Sequence, residues 1–229
     1  MARTLKMLTL LAAVAVLPLA GCGKDPDSPT GKKMKENAVL GKLPALEAYY
    51  AEASAQKRQE FDEAKKDLSN TERIAKLSEE FVALEKEWGA KIADYVKSAG
   101  IVGRQVPFTA LEDRPYTIEG VILKYARKGD VIFEVSLKLN KDLTDREIKD
   151  EAIKRGFRED IIRTRFKAVD ADGKTIEGSK KALASGFKKD ELTEGKTWTV
   201  SYSVGTAQII NMGDFAKIVE ITHEEYQQK

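Results

Sequence analysis

Covalent, metal and proton chemistry in proteins leans on cysteine, histidine and converging carboxylates. This chain of 229 residues has one cysteine, Cys22, and one histidine, His223. His223 is followed by Glu224-Glu225-Tyr226, which is not the zinc pattern of two histidines four apart on one helix face. A serine–histidine arrangement would have to rest on that same histidine, and no serine stands in a Gly-x-Ser-x-Gly elbow. Glu112-Asp113 and Glu224-Glu225 are adjacent acids, whose side chains diverge on a strand or turn and do not form an acid–base pair. Asp170-Ala171-Asp172-Gly173 begins like a calcium loop, but its glycine comes fourth and Lys181 holds the twelfth position, where glycine sixth and a bidentate acid twelfth are required. An Asp-Gly hairpin turn accounts for the same residues. Gly195-Lys196-Thr197 imitates the end of a phosphate-binding loop, yet Asp190 stands where the earlier glycine belongs. No catalytic residue, metal site or cofactor is expected. One cationic row remains, Arg163, Arg165 and Lys167 on one face of a strand, with Lys154, Arg155 and Arg158 nearby. It reads either as a contact for an anionic ligand or headgroup, or as a solvated face, since Glu151, Glu159 and Asp160 are interspersed.

Cys22 has a more specific setting. Arg3 and Lys6 precede the apolar run from Met7 to Ala20, the layout of an export signal. The run is shorter than the roughly 20 apolar residues that cross a bilayer, and Pro18 interrupts it. Its end, Leu19-Ala20-Gly21-Cys22, resembles the lipobox of bacterial lipoproteins. That resemblance implies cleavage before Cys22, acyl chains on its sulfur and new amino group, and a membrane as the first partner. The competing reading is an ordinary secretory signal with an incidental cysteine. In enteric-type lipoproteins an aspartate after the cysteine marks inner-membrane retention. Gly23 stands there instead, so the outer membrane facing the periplasm is implied if the source has two membranes. Residues 22–36 are polar, with Pro26, Pro29 and Gly31. They read as a flexible tether with a reach on the order of 20 Å.

Removing residues 1–21 takes away Arg3 and Lys6 and no acid, leaving 37 basic and 37 acidic residues. The slight basicity of the whole chain therefore belongs to the signal. No nucleic-acid partner is expected, because phosphate binding needs a concentrated positive field. With Cys22 acylated, no thiol is left for a disulfide, metal or nucleophile.

The elements that would carry any site divide into two parts. Residues 37–100 have the helical period. Apolar residues recur from Leu43 to Leu68, with Pro44 suited to a first turn. Ser69-Asn70-Thr71-Glu72 reads as a capping box. Behind it Ile74, Leu77, Phe81, Leu84, Trp88, Ile92 and Tyr95 form a regular stripe that Gly100 and Ile101 close. Two helices about 40 Å long make an antiparallel hairpin. Thirteen basic and thirteen acidic residues are balanced between Lys32 and Lys97. The stripe is read as the seam between the two helices, the competing reading being a groove for a partner helix.

Residues 101–229 change to a period of two. Strands are expected over 102–110, 116–125, 131–139, 161–169, 197–204 and 215–221. Val131, Phe133, Val135, Leu137 and Leu139 face inward, and Trp198, Val200, Tyr202 and Val204 do likewise. The 116–125 strand is apolar on both faces and reads as central. Thr144-Asp145-Arg146-Glu147 opens a short inserted helix that ends at Gly156. The runs Asp130–Asn140, Phe166–Lys174 and Leu192–Val200 resemble the immunoglobulin-like sandwich domains of secreted bacterial lipoproteins, over about residues 116–222. The departure is the 144–156 insertion. The resemblance implies a fold and no chemistry.

The expected protein is thus α+β: a lipoprotein signal over 1–21, a tether over 22–36, a helical hairpin over 37–100, and an antiparallel β-sandwich over 101–229. The expected role is non-enzymatic binding of an envelope protein. The alternative is a carrier of a small apolar ligand or lipid, with a pocket between hairpin and sandwich lined by Trp88, Tyr95 and Trp198.

Overall fold

A computed structural model describes residues 36–67, 69–125, 130–143 and 160–228. The signal, Cys22, all but the last residue of the tether, and the inserted helix expected over 144–156 lie outside these residues. The chain is mixed α+β: two helices followed by an antiparallel and a mixed sheet.

Helix α1 spans Leu43–Ala64 with Pro44 in its first turn, and α2 spans Thr71–Ser98. At 1.5 Å per residue they are about 33 and 42 Å long. The start of α2 differs from the expected capping box by one residue. Asn70 is the N-cap, its side chain accepting from the Arg73 backbone N–H at 3.2 Å, and Ser69 donates to the Asp67 carboxylate at 2.6 Å. Asparagine caps a helix as well as serine does, so the nearer residue prevails. At the other end Gly100 takes φ +57 and Ile101 is buried, the expected close.

Among the described residues seven strands form two sheets. One is β2 (Tyr116–Tyr125), β3 (Val131–Leu139) and β6 (Thr197–Val204), all antiparallel. The other runs in the order β1 (Phe108–Thr109), β7 (Phe215–Glu220), β4 (Asp160–Asp170), β5 (Lys181–Phe187). In it β1 pairs with β7 in parallel, so the expectation of purely antiparallel pairing is corrected. The order also departs from the ABED and CFG sheets of immunoglobulin domains. Two short helices follow β6 and β7: α3 (Thr206–Ile210) and α4 (His223–Gln227).

Three strand expectations change for local reasons. The single strand expected over 102–110 is divided between the sheets. Arg104 and Val106 exchange backbone bonds with Leu123 and Val121 of β2, and after Pro107 the chain crosses to β7, where Ile218 N–H donates to the Pro107 carbonyl at 3.0 Å. Proline has no N–H for a ladder and marks the corner. The 116–125 strand is apolar on both faces because a register shift lies between Ile118 and Gly120. Such a bulge changes which face a residue meets: Tyr116 and Ile118 are buried before it, Val121 and Leu123 after it. This strand stands first in the order of its sheet, beside the segment that carries the Gln105–Ile122 bridge. Strand β5 was unforeseen, since Lys-Ala-Leu-Ala-Ser-Gly-Phe lacks strong alternation.

The alternation in β3 and β6 behaves as expected. Val131, Phe133, Val135, Leu137 and Leu139 are all fully buried. Phe133 meets Tyr202 and Phe215 at ring separations of 5.6 and 5.4 Å, and Phe166 meets Tyr202 at 6.2 Å, so side chains of the two sheets share one core. That core also takes in Leu40, Leu43, Leu46, Trp88, Ile92 and Val96. Hairpin base and sheets therefore bury each other.

Candidate functional site

The hairpin is held to the sheets by hydrogen bonds from polar side chains. Asn37 accepts from the N–H groups of Val39 and Leu40, both at 2.9 Å, and donates to the carbonyls of Gly213 and Phe215 at 3.1 and 2.7 Å. The turn from Asn37 to Gly41 is thereby fastened to the start of β7. Arg104 donates to the carbonyls of Ala99, Gly100 and Val39 at 2.6, 3.2 and 3.1 Å. A guanidinium at a helix C-terminus satisfies orphan carbonyls and complements the helix dipole. Tyr95 accepts from the Lys42 N–H at 2.7 Å. Its hydroxyl lies 2.1 Å from where a Cβ on Gly41 would stand, and Gly41 has φ +60. Only glycine meets both conditions without strain.

Away from this base the hairpin is thinly covered. Trp88, Ile92 and Val96 are buried, whereas Ile74, Leu77, Phe81 and Leu84 of the same stripe are half-buried and Val82 is 60% exposed. An open groove of about 720 Å³ runs along α1 past Tyr50, Ala51, Ser54, Ala55 and Arg58, with Phe81 and Glu85 of α2 on its other side. A smaller hollow of about 250 Å³ lies among Arg58, Phe61, Asp62, Ser78 and Phe81. Phe81 faces both. Lys57 links the helices by pairing with Glu80 at 2.8 Å, and this hydrogen bond holds the pKa of Glu80 below its ordinary value and that of Lys57 above it.

The three aromatic residues expected to line a pocket have separate surroundings. Trp88 is buried in the common core, with Lys91 over its ring at 4.8 Å. Tyr95 serves the base turn. Trp198 packs edge-on against Tyr116 and Phe187 at 5.7 and 5.3 Å, and its Nε1 is buried without a hydrogen-bond partner. None of the three concavities described in this section is lined by any of them.

Arg163, Arg165 and Lys167 do share the outward face of β4 while Ile162, Thr164 and Phe166 point inward. Their surroundings differ. Lys167 pairs with Glu225 at 2.5 Å, and Arg163 has its Nε buried without a partner. Arg165 lines a cleft of about 510 Å³ with Leu111, Glu112, Asp113, Arg114, Thr222, His223 and Glu224. The cleft opposes three acids to two arginines and one histidine. Its wall is anchored by Glu220, 2% exposed, which accepts from Tyr116 Oη at 2.6 Å and Leu111 N–H at 3.1 Å and pairs with Arg114 at 3.7 Å. The cleft thus mixes both signs of charge, and Lys167 in the same row is mostly covered, its side chain 15% exposed.

The Asp170 carboxylate accepts from the N–H groups of Asp172 and Lys174 at 3.0 and 2.8 Å, as a turn requires. Among the described residues no three histidine, aspartate or glutamate side chains form a metal-binding group, and no helix is long and apolar enough to cross a membrane. The sequence reading missed Asn37, Arg104 and Glu47. The only signal for them was the turn-forming Asn37–Gly41 before Leu43-Pro44. The chain matches no family model, no curated protein and no solved structure.

Proposed function

We propose that the protein is a lipid-anchored component of a bacterial cell envelope that binds another envelope protein through the outer part of its helical hairpin. The observation that carries this reading is the mismatch along α2: its apolar spacing continues unbroken to Ile74, while burial against the sheets ends near Trp88. Half-buried Phe81 and exposed Val82 beside an open groove are the kind of anchor that helix-in-groove recognition uses. The lipobox at Leu19-Ala20-Gly21-Cys22 and the polar segment up to residue 36 support the anchoring half of the reading. We read the body as an open β-sandwich, a scaffold for the hairpin and not itself a site. Support comes from the aromatic contacts between the sheets. The carrier alternative has less support, because Trp88, Tyr95 and Trp198 line none of the three concavities described above.

A photo-crosslinking residue at position 82 of the full-length protein, expressed in its own envelope, tests the binding half. One discrete adduct is expected, lost on Phe81→Asp and absent from a control at Ser201, which is exposed on β6. Equal labelling from both positions overturns it. Incorporation of a fatty-acid probe tests the anchor. Unchanged labelling and membrane association after Cys22→Ala overturns that half.

A further inference from the structure

Glu47 is placed where an ionised carboxylate is badly served. It lies in the second turn of α1, between the core residues Leu43 and Leu46 and the half-buried Tyr50. It is 2% exposed, and its Oε1 is buried with no hydrogen-bond partner. At this end α1 packs on α3, whose residues Thr206–Ile210 include no titratable side chain. The charged group facing Glu47 from the sheets is Asp130, at the start of β3. The Asp130 carboxylate is fixed close to α3, with one oxygen 3.5 Å from where a Cβ on Gly205 would stand. On α1 itself the titratable neighbour is Tyr50, one turn on, which donates to Glu85 of α2 at 3.4 Å. Among the described residues the ionisable neighbours are thus neutral or negative, and no cation pairs with Glu47.

We propose that Glu47 is a proton-operated latch at the base of the hairpin, seating α1 against α3 and β3 when protonated and loosening that seat when ionised. Loss of water around the carboxyl opposes its charge first, and the like charge of Asp130 adds to the effect. The two together hold its pKa up at about 7 from the ordinary 4.5. The sign follows from the direction of that shift. The folded state keeps a proton that the unfolded state has released, so the group's contribution is fully present below about 4.5 and is lost as pH rises through about 7. The bonds of Asn37 and Arg104 fasten the turns that flank the base. They tether both ends of the base while α1 between them gives way.

The test uses the full-length protein in detergent micelles with a carbon-13 label in the glutamate carboxyls. The Glu47 resonance is expected to titrate near pH 7, and a midpoint in the ordinary range below about pH 5 overturns the proposal. Asp130→Asn is expected to move that midpoint down by about half a unit or more; an unmoved midpoint overturns the role of Asp130. Thermal unfolding is expected to show stability falling between pH 5 and 8 in the wild type, with the fall much reduced in Glu47→Gln. The same fall in both overturns the proposal. If Glu47→Gln does not fold, the carboxyl titration of the wild type and of Asp130→Asn decides. Spin labels at the exposed positions Glu52 and Ser203 read the motion itself. Their distance distribution is expected to broaden above pH 7, and one unchanged from pH 5 to 8 overturns the latch even where the midpoint agrees.

Discussion

The two ends of α2 have the same apolar rhythm and opposite fates. Around Trp88, Ile92 and Val96 the stripe lies in a core shared with the sheets; around Ile74, Leu77 and Phe81 it faces only the slender α1 and an open groove. The first end is also clamped by Asn37, Tyr95 and Arg104, while the second is joined across by exposed pairs such as Lys57–Glu80. Spacing alone marks a surface that must be covered. How well it is covered depends on what else the fold brings to it, and the sheets reach only one end. The difference separates a structural base from an outer segment that stays partly open to solvent.

The contrast is most exposed to a pair of truncations. Trp88→Ala at the base is expected to cost about 3–5 kcal/mol, as removal of a large buried aromatic does. Phe81→Ala, half-buried, is expected to cost about 1–2 kcal/mol from its smaller buried area. Denaturant unfolding of the full-length protein reads both, and equal losses would erase the distinction between the two ends. Next in size is the clamp. Asn37→Ala removes four hydrogen bonds and strands buried backbone groups, with an expected loss of about 2–3 kcal/mol. A loss near zero would mean that the apolar base holds by itself. The smallest effect belongs to the outer segment: Lys57→Ala should leave the unfolding midpoint unchanged, because exposed ion pairs are screened and entropically costly. A measurable drop, reversed by high salt, would mean that the outer hairpin relies on its charges.

Most of the elements were legible because they obey local rules. Pro44 in a first turn, Gly100 with Ile101, and the alternation of β3 depend on neighbours within one or two turns of chain, and those neighbours are in the sequence. The misreadings have a common origin in long-range geometry. Ile118 and Val121 looked like two faces of a central strand because a bulge leaves no mark in the order of residues beyond a glycine, here Gly120. Pro107 was visible, but that it carries the chain from one sheet to the other depends on where β7 runs. Lys181–Phe187 is a strand because β4 offers it a ladder, not because its residues prefer one. The aromatic trio has separate surroundings for the same reason, since size and polarity do not say which side chains converge. Glu47 looked like one more solvated charge in a balanced helix, and only the arrival of α3 and Asp130 made it a buried acid.

The amino-acid order by itself determined the lone cysteine, the two helices, and the inward faces of β3, β4 and β6. Each follows from composition or from a period of 3.6 or 2. The tertiary structure alone decided the parallel pairing of β1 with β7, the single core beneath hairpin and sheets, the neutralisation of Lys167 by Glu225, and the burial of Glu47. Those outcomes depend on residues tens to more than a hundred positions apart meeting in space. Burial and the electrostatic environment of a charge are properties of that meeting, which no local pattern encodes.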